Sequence, residues 1–290
     1  YREGANIARA CSTAGGAFTI TSSGLGLGNN RTLGFYFNGT DLIRVRAQGA
    51  SYVWESAVVT AGCAATNTAR TVIGSGGHIA QDITQNSTGY NFAIANEAPS
   101  ASGLSSGVVL RRGAPPGSSW ASQGHLNNTI SCITTCPDWM ALNVTNNRIL
   151  SIGTHTGNGL RSRIFYSAGN QTFGTNTSVT ANQLDSETSW SCIQGASGSA
   201  IAHCIWLTST GVLNYITFDG SSWSAVTIIA YPGDVNTMIG ISKANGDGRI
   251  LVIRRVGATI YWNRTNTAGS FTDTGSFFLG AQTASDFMAV

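Results

Sequence analysis

Short apolar runs, each bounded by Gly, Asn, Asp or Ser, recur in pairs along the chain. "TLGFYF" (32–37) precedes "DLIRVR" (41–46), and "YNFAIA" (90–95) precedes "GVVLRR" (107–112). Three more pairs follow: "RILSIG" (148–153) with "SRIFYS" (162–167), "AIAHCIWL" (200–207) with "VLNYITF" (212–218), and "RILVIRR" (249–255) with "ATIYWN" (258–263). Most of these runs are continuous rather than alternating. That pattern predicts strands buried on both faces, as in a sheet packed between two neighbours. A further run precedes the later pairs, in "DWMALN" (138–143), "SCIQGA" (191–196) and "NTMIGI" (236–241). No segment keeps a 3.6-residue apolar period, so almost no helix is expected.

The pairs are punctuated by glycine followed within two to four residues by an aromatic. The marker reads "GGAF", "GASY", "GSSW", "GNQTF", "GSSW" and "GSF", and ends on Phe18, Tyr52, Trp120, Phe173, Trp223 and Phe271. A repeat of roughly fifty residues, built from four short antiparallel strands, is the unit of a β-propeller. The predicted fold is therefore all-β, a six-bladed β-propeller in one domain of 290 residues. Its repeats are expected at about 22–60, 72–125, 137–180, 190–230, 236–277, and 286–290 with 1–21. Glycine permits the tight turn, and the aromatic is expected to fill the wedge between blades. An ordinary core position is the alternative role for each of these rings.

The two ends of the chain are spelled alike. Gly4, Ala5, Ile7, Gly16, Phe18 and Thr19 fall on Gly257, Ala258, Ile260, Gly269, Phe271 and Thr272 without a gap. "DFMAV" (286–290) matches the run around Met238, with Met288 aligned to it. Both ends are thus expected to share one blade that lacks a strand. The vacancy would be filled by further polypeptide or by a strand from a neighbouring molecule.

Composition narrows the function. Lys and Arg total 16 and Asp and Glu 13, with a single lysine, Lys243. A net charge of +3 without basic clusters gives no footprint for nucleic acid. No apolar stretch is long enough to span a bilayer. The chain opens at Tyr1 without Met or an apolar leader, which predicts a processed product or a segment of something longer. Low charge, with abundant Ser, Thr and Asn, suits an extracellular assembly in which other subunits of the same kind are partners.

Six cysteines and eight N-x-S/T sequons lean towards an oxidising compartment. Cys192 and Cys204 lie symmetrically about position 198 and would face each other across a hairpin. Cys132 and Cys136 enclose a small loop, which leaves Cys11 and Cys63 as a third pair; reduced core thiols are the alternative. The sequons begin at Asn30, Asn38, Asn86, Asn127, Asn143, Asn170, Asn176 and Asn263. Asn86 and Asn127 sit in loop-like stretches where a sugar is expected to meet no packing. His78, His125, His155 and His203 are scattered without zinc spacing, so no metal or cofactor is expected.

"TFDGSSWSAV" (217–226), with weaker copies in "PPGSSWAS" and "NTAGSFTD", resembles the turn of Asp-box and related sialidase-like or lectin propellers. Asp219 directly precedes Gly220, where the Asp-box pattern keeps them apart. The sialidase side of the resemblance implies arginines that grip a carboxylate, with a nucleophilic Tyr backed by Glu and an acid Asp. Arginines do gather near the strands, yet no F-R-I-P-like segment exists, and the only glutamates are Glu3, Glu55, Glu97 and Glu187. The chain is therefore expected not to be an enzyme. The side resembling six-bladed fungal-type lectins implies sugar sites between blades, each using an Arg, an acidic or amide group and an aromatic platform. Arg44, Arg112, Arg163 and Arg254 are the candidates near aromatics. Together these readings predict a secreted, non-enzymatic adhesion or filament-type assembly module that binds glycans, with a soluble lectin as the alternative and a glycoside hydrolase as the second.

Overall fold

A computed structural model describes residues 2–3, 6–11, 19–26, 33–37, 41–48, 51–59, 65–75, 80–86, 88–97, 107–113, 120–127, 139–145, 148–155, 159–166, 172–175, 177–180, 190–195, 202–208, 210–229, 238–243, 249–256, 259–265 and 270–278. Every regular element among them is a strand. The chain divides into two compact units, Tyr1–Ala141 and Leu142–Val290.

The first unit opens with a three-stranded sheet of β1 (Arg2–Glu3), β2 (Asn6–Cys11) and β3 (Thr19–Gly26). A four-stranded sheet follows, of β4 (Leu33–Phe37), β5 (Asp41–Gln48), β6 (Ser51–Val59) and β7 (Ala65–Ser75). The next comprises β8 (Ala80–Gln85), β9 (Asn91–Glu97), β10 (Gly107–Gly113) and β11 (Trp120–Asn127). Within this unit β8 lies against β4 and β5, so these two sheets are neighbours.

Three more sheets of the same build follow. One holds β12 (Trp139–Thr145), β13 (Arg148–His155), β14 (Gly159–Tyr166) and β15 (Thr177–Ser178). The next holds β16 (Trp190–Gln194), β17 (Ala202–Leu207), β18 (Leu213–Phe218) and β19 (Thr227–Ile228). The last holds β20 (Met238–Lys243), β21 (Ile250–Val256), β22 (Thr259–Thr265) and β23 (Phe271–Phe278). From β13 to β15, β16 to β19 and β20 to β23, sequential neighbours pair antiparallel, as hairpin-connected strands require.

The continuous apolar runs of β17 and β18 are buried on both faces, as their pattern implies, whereas β22 mixes buried and half-buried positions. On β17 and β18 only His203 and Thr217 are more than marginally exposed. The residues on one face meet the next sheet. Ile205, Leu207, Leu213 and Tyr215 form one cluster with Ile241, Ile250 and Val252 of the β20–β23 sheet. Each fully buried Leu or Ile there contributes about 1.5–3 kcal/mol through removal from water. Neither sheet could bury both faces alone, so neighbour packing carries the fold.

Two expectations shift. Leu33–Ser75 forms one sheet rather than the unit expected at 22–60, because "ATNTARTVIGS" pairs with β6 as a fourth strand. Tyr52 consequently stands near the start of β6, just after the turn between the second and third strands, unlike Trp120 and Phe271, which begin fourth strands. The sequence match between the ends agrees with the sheets. At its spacing β2 and β3 fall on β22 and β23, and β1 falls on the last two residues of β21. Residues 286–290, which carry the shared-blade expectation, lie outside the described residues, as does Phe18.

Candidate functional site

Two of the marker aromatics, Trp223 and Phe271, cross the seams between sheets of the second unit. Phe173 and Trp223 make isolated bridges to Phe165 and Phe218, at the ends of β14 and β18. Three residues before each of those bridge partners stand Ser162 and Tyr215. Trp223 reaches back to the preceding sheet, where its indole Nε1 donates to Ser162 Oγ at 3.0 Å. Phe271 does the same one sheet later, meeting Tyr215 edge-on with centroids 4.9 Å apart. The same seam position thus takes a hydrogen bond in one case and a ring contact in the next. Tyr215 also holds a 2.6 Å hydrogen bond to His203 Nδ1, and burial pushes its hydroxyl pKa up to about 12.

The turn that carries Trp223 is built by Asp219. Its Oδ1 accepts from Ser221 N–H at 2.8 Å, Ser222 N–H at 2.7 Å and Ser221 Oγ at 2.9 Å, and its Oδ2 from Ser222 Oγ at 3.0 Å. These donors, the Ser222 N–H foremost, hold the carboxyl well below the usual carboxylate range. Gly220 adopts φ 100°, a left-handed conformation that only glycine takes without strain. Its carbonyl accepts from Arg148 Nη1 of the preceding sheet at 2.9 Å.

Arg148 begins β13 and pairs in register with Tyr166 at the end of β14. Its guanidinium carbon lies 5.5 Å from the centroid of the Tyr166 ring. Tyr166 is 37 % exposed, one of only three large hydrophobic side chains so open among the described residues. Gly174 passes beside it, and a Cβ there would stand 3.4 Å from the ring. Ser162 lies four residues before Tyr166 on the same strand, so Arg148, Ser162 and Tyr166 share one face. That face meets the Asp219–Trp223 turn. The rim therefore gathers a guanidinium and an exposed aromatic ring from one sheet with a fixed carboxylate and the Ser221 and Ser222 hydroxyls from the next. Such a set can donate to and accept from sugar hydroxyls while a pyranose ring lies against the tyrosine.

The four arginines singled out in the sequence are spread over different strands. Arg44 stands on β5, opposite Phe35 and Glu55, and its side chain lies outside the described part. Arg112, on β10, lies 3.7 Å over the Tyr90 ring. Arg163 lies 4.4 Å over Phe173 and donates Nε–H to the Gly174 carbonyl, on the face of β14 opposite Arg148; burial lowers its pKa. Arg254 is 2 % exposed, its guanidinium 5.1 Å from the Tyr261 ring, so a glycan from solvent does not reach it. Arg148 and Tyr166 were not singled out from the sequence. Their symmetry about Gly157 was the available signal, the same kind of signal that marked Cys192 and Cys204 about position 198.

That cysteine pair forms a disulfide, with Cα atoms 4.1 Å apart in register across β16 and β17. Cys11 stands on β2 with its side chain outside the described part, and Cys63, Cys132 and Cys136 lie outside the described residues. Trp120 lies against Gly113, where a Cβ would come within 2.5 Å of the indole, so only glycine admits that close packing. Among the sequons, Asn86 and Asn263 are 6 % and 4 % exposed. Asn86 Oδ1 accepts from Thr88 N–H, Thr88 Oγ1 and Tyr90 N–H, closing the turn at Gly89. A sugar on Asn86 would therefore meet packing after all, and one on Asn263 would too. Asn127 and Asn143 stand on β11 and β12 with side chains outside the described part; Asn30, Asn38, Asn170 and Asn176 lie outside the described residues. No helix of the described residues is long and apolar enough to cross a membrane.

No protein-family model matches the chain, and no curated protein matches its sequence. In structure it is similar to BP39L lectin from Burkholderia pseudomallei, with a TM-score of 0.61 and 11 % identity over 84 % of this chain and 69 % of that one. It is also similar to Aleuria aurantia lectin, a fungal lectin of six-bladed β-propeller fold, with a TM-score of 0.51 and 12 % identity over 85 % of this chain and 77 % of the other. The NanB sialidase from Streptococcus pneumoniae aligns with a TM-score of 0.55 and 10 % identity, over 86 % of this chain but 61 % of its own length. At these identities the likeness is one of fold: all-β, made of four-stranded antiparallel sheets, with six-bladed propellers as neighbours.

Proposed function

We propose that the chain is a glycan-binding propeller module that acts without bond-breaking chemistry, and that the rim between the β12–β15 and β16–β19 sheets is a binding site. The observation that carries this reading is the pairing of exposed Tyr166 with Arg148, whose Nη1 is fixed by the Gly220 carbonyl of the adjacent sheet. An aromatic face and pre-positioned donors bind a sugar with little loss of side-chain freedom, because the groups are already ordered. The fold likeness to propeller lectins supports the same reading. The buried Cys192–Cys204 disulfide supports an extracellular setting. The test is a panel of immobilised glycans together with a panel of fluorogenic glycosides. Saturable binding without turnover is expected. Sustained hydrolysis, abolished by a single carboxylate substitution, contradicts it.

A second reading, assembly with further copies, draws support from β19. This two-residue outer strand is exposed, with Ile228 66 % accessible and Val226, just before it, 47 %. An open edge strand with outward apolar side chains is a template for pairing. Sedimentation velocity across a concentration series tests it: association that Ile228→Lys abolishes supports the reading, and a monomer at all concentrations contradicts it.

A further inference from the structure

From the Asp219–Trp223 turn we infer that the rim site selects uncharged glycans and that Asp219 is its specificity-determining residue, turning away sugars that carry a carboxylate or sulfate. The inference rests on the glycan-binding reading of this rim.

The charges at the site divide unequally between solvent and protein. Arg148 is half-buried, spends Nη1 on the Gly220 carbonyl at 2.9 Å and lies beside the Tyr166 ring. Its Nη1 is thus turned into the seam, and its charge is less open to solvent than that of Asp219. Asp219 is exposed and directly precedes Gly220, the residue Arg148 holds. Its charge is open to solvent beside that residue. Four hydrogen bonds from Ser221 and Ser222 fix the carboxylate in place, three of them on Oδ1 and only one on Oδ2. Oδ2 keeps room for a further donor, which a sugar hydroxyl supplies and a carboxylate or sulfate group at that position does not.

Protonation does not relieve the conflict at ordinary pH. The same donors hold the carboxyl ionised far into the acid range, so an acidic sugar always meets a like charge. Two like charges roughly 5 Å apart, in a medium between bulk water and a protein surface, repel by enough to weaken binding on the order of five-fold or more. The remaining polar groups of the turn, the hydroxyls of Ser221 and Ser222, already donate to Asp219, so they present acceptor lone pairs outward. They too match hydroxyls better than anions.

Asp219→Asn is the informative variant, because the amide oxygen still accepts from the Ser221 and Ser222 N–H groups while the charge is gone. Affinities are measured by calorimetry for a neutral oligosaccharide and for its counterpart bearing a uronic acid or sialic acid. The wild-type protein is expected to favour the neutral ligand by roughly five-fold or more. Asp219→Asn is expected to reduce that ratio to near one, chiefly by gaining affinity for the acidic ligand. A wild-type preference for the acidic ligand, or a ratio unchanged in Asp219→Asn, overturns the inference while leaving the glycan-binding reading in place. Absence of binding to either ligand removes both. If Asp219→Asn does not fold, the salt dependence of the wild type decides: screening should raise the affinity for the acidic ligand towards that of the neutral one, and a fall in acidic affinity with salt contradicts the inference.

Discussion

Trp223 donates its indole N–H to Ser162 Oγ, from the turn of one sheet to the third strand of the sheet before it. Ser162 is 4 % exposed, so its hydroxyl has little water to fall back on. Trp223→Phe keeps most of the ring but removes the donor, and is expected to cost about 1–3 kcal/mol. Ser162→Ala should cost less when combined with Trp223→Phe than in the wild type, because the pair is already broken. Urea unfolding of the two single variants and the double variant measures the coupling. Strict additivity contradicts the claim that this bond ties the seam.

At the next seam the equivalent position is Tyr215, and here the prediction concerns pH. Burial raises its hydroxyl pKa to about 12, so the folded state holds the proton more tightly than the unfolded chain does. The resulting stabilisation is complete below the unfolded value of about 10 and is lost as pH rises towards the folded value. Its full size is on the order of 2 kcal/mol. Denaturant unfolding between about pH 9 and 12 should show stability falling with pH in the wild type and a flatter profile in Tyr215→Phe. Identical slopes in the two proteins contradict the assignment.

The Cys192–Cys204 disulfide closes a short loop between paired strands. Cys192→Ala with Cys204→Ala is expected to lower stability by about 2–4 kcal/mol and to lower Tm accordingly. Thiol alkylation of the unreduced, denatured wild type should leave both positions unmodified. Alkylation at both would contradict the bridge.

Most of the fold was legible in the sequence because burial on both faces leaves a direct trace. Continuous runs such as "VLNYITF" cannot sit on a half-solvated sheet, and their spacing exposes the repeat. The second sheet was harder. Its fourth strand, "ATNTARTVIGS", is polar in its first half, and Tyr52 follows a glycine at a turn of the wrong order. A glycine followed by an aromatic marks a turn, but it does not say which strands that turn joins. The candidate site was only partly legible for a similar reason. Arginine beside an aromatic in sequence does not reveal the face, and Arg254, which has that pattern, is buried. Arg148 and Tyr166 are cross-strand partners 18 residues apart, a pairing that local sequence does not display. Sequons mark a chemical motif without reporting accessibility, which is why Asn86 and Asn263 count as acceptors in the sequence and are packed in the structure.

The account turns on Tyr166 as the platform of a sugar site. Its ring is 37 % exposed and lies beside Arg148 and Gly174, so Tyr166→Ala is expected to cost about 1 kcal/mol of stability, and binding is compared well below Tm with the fold intact. Titration calorimetry with the best glycan from the panel is the direct measurement. The expected result is a loss of affinity in Tyr166→Ala of roughly ten-fold or more, about 1.4 kcal/mol, in a folded protein. Wild-type affinity in this variant, with its fold intact, would contradict the placement of the glycan site at this rim.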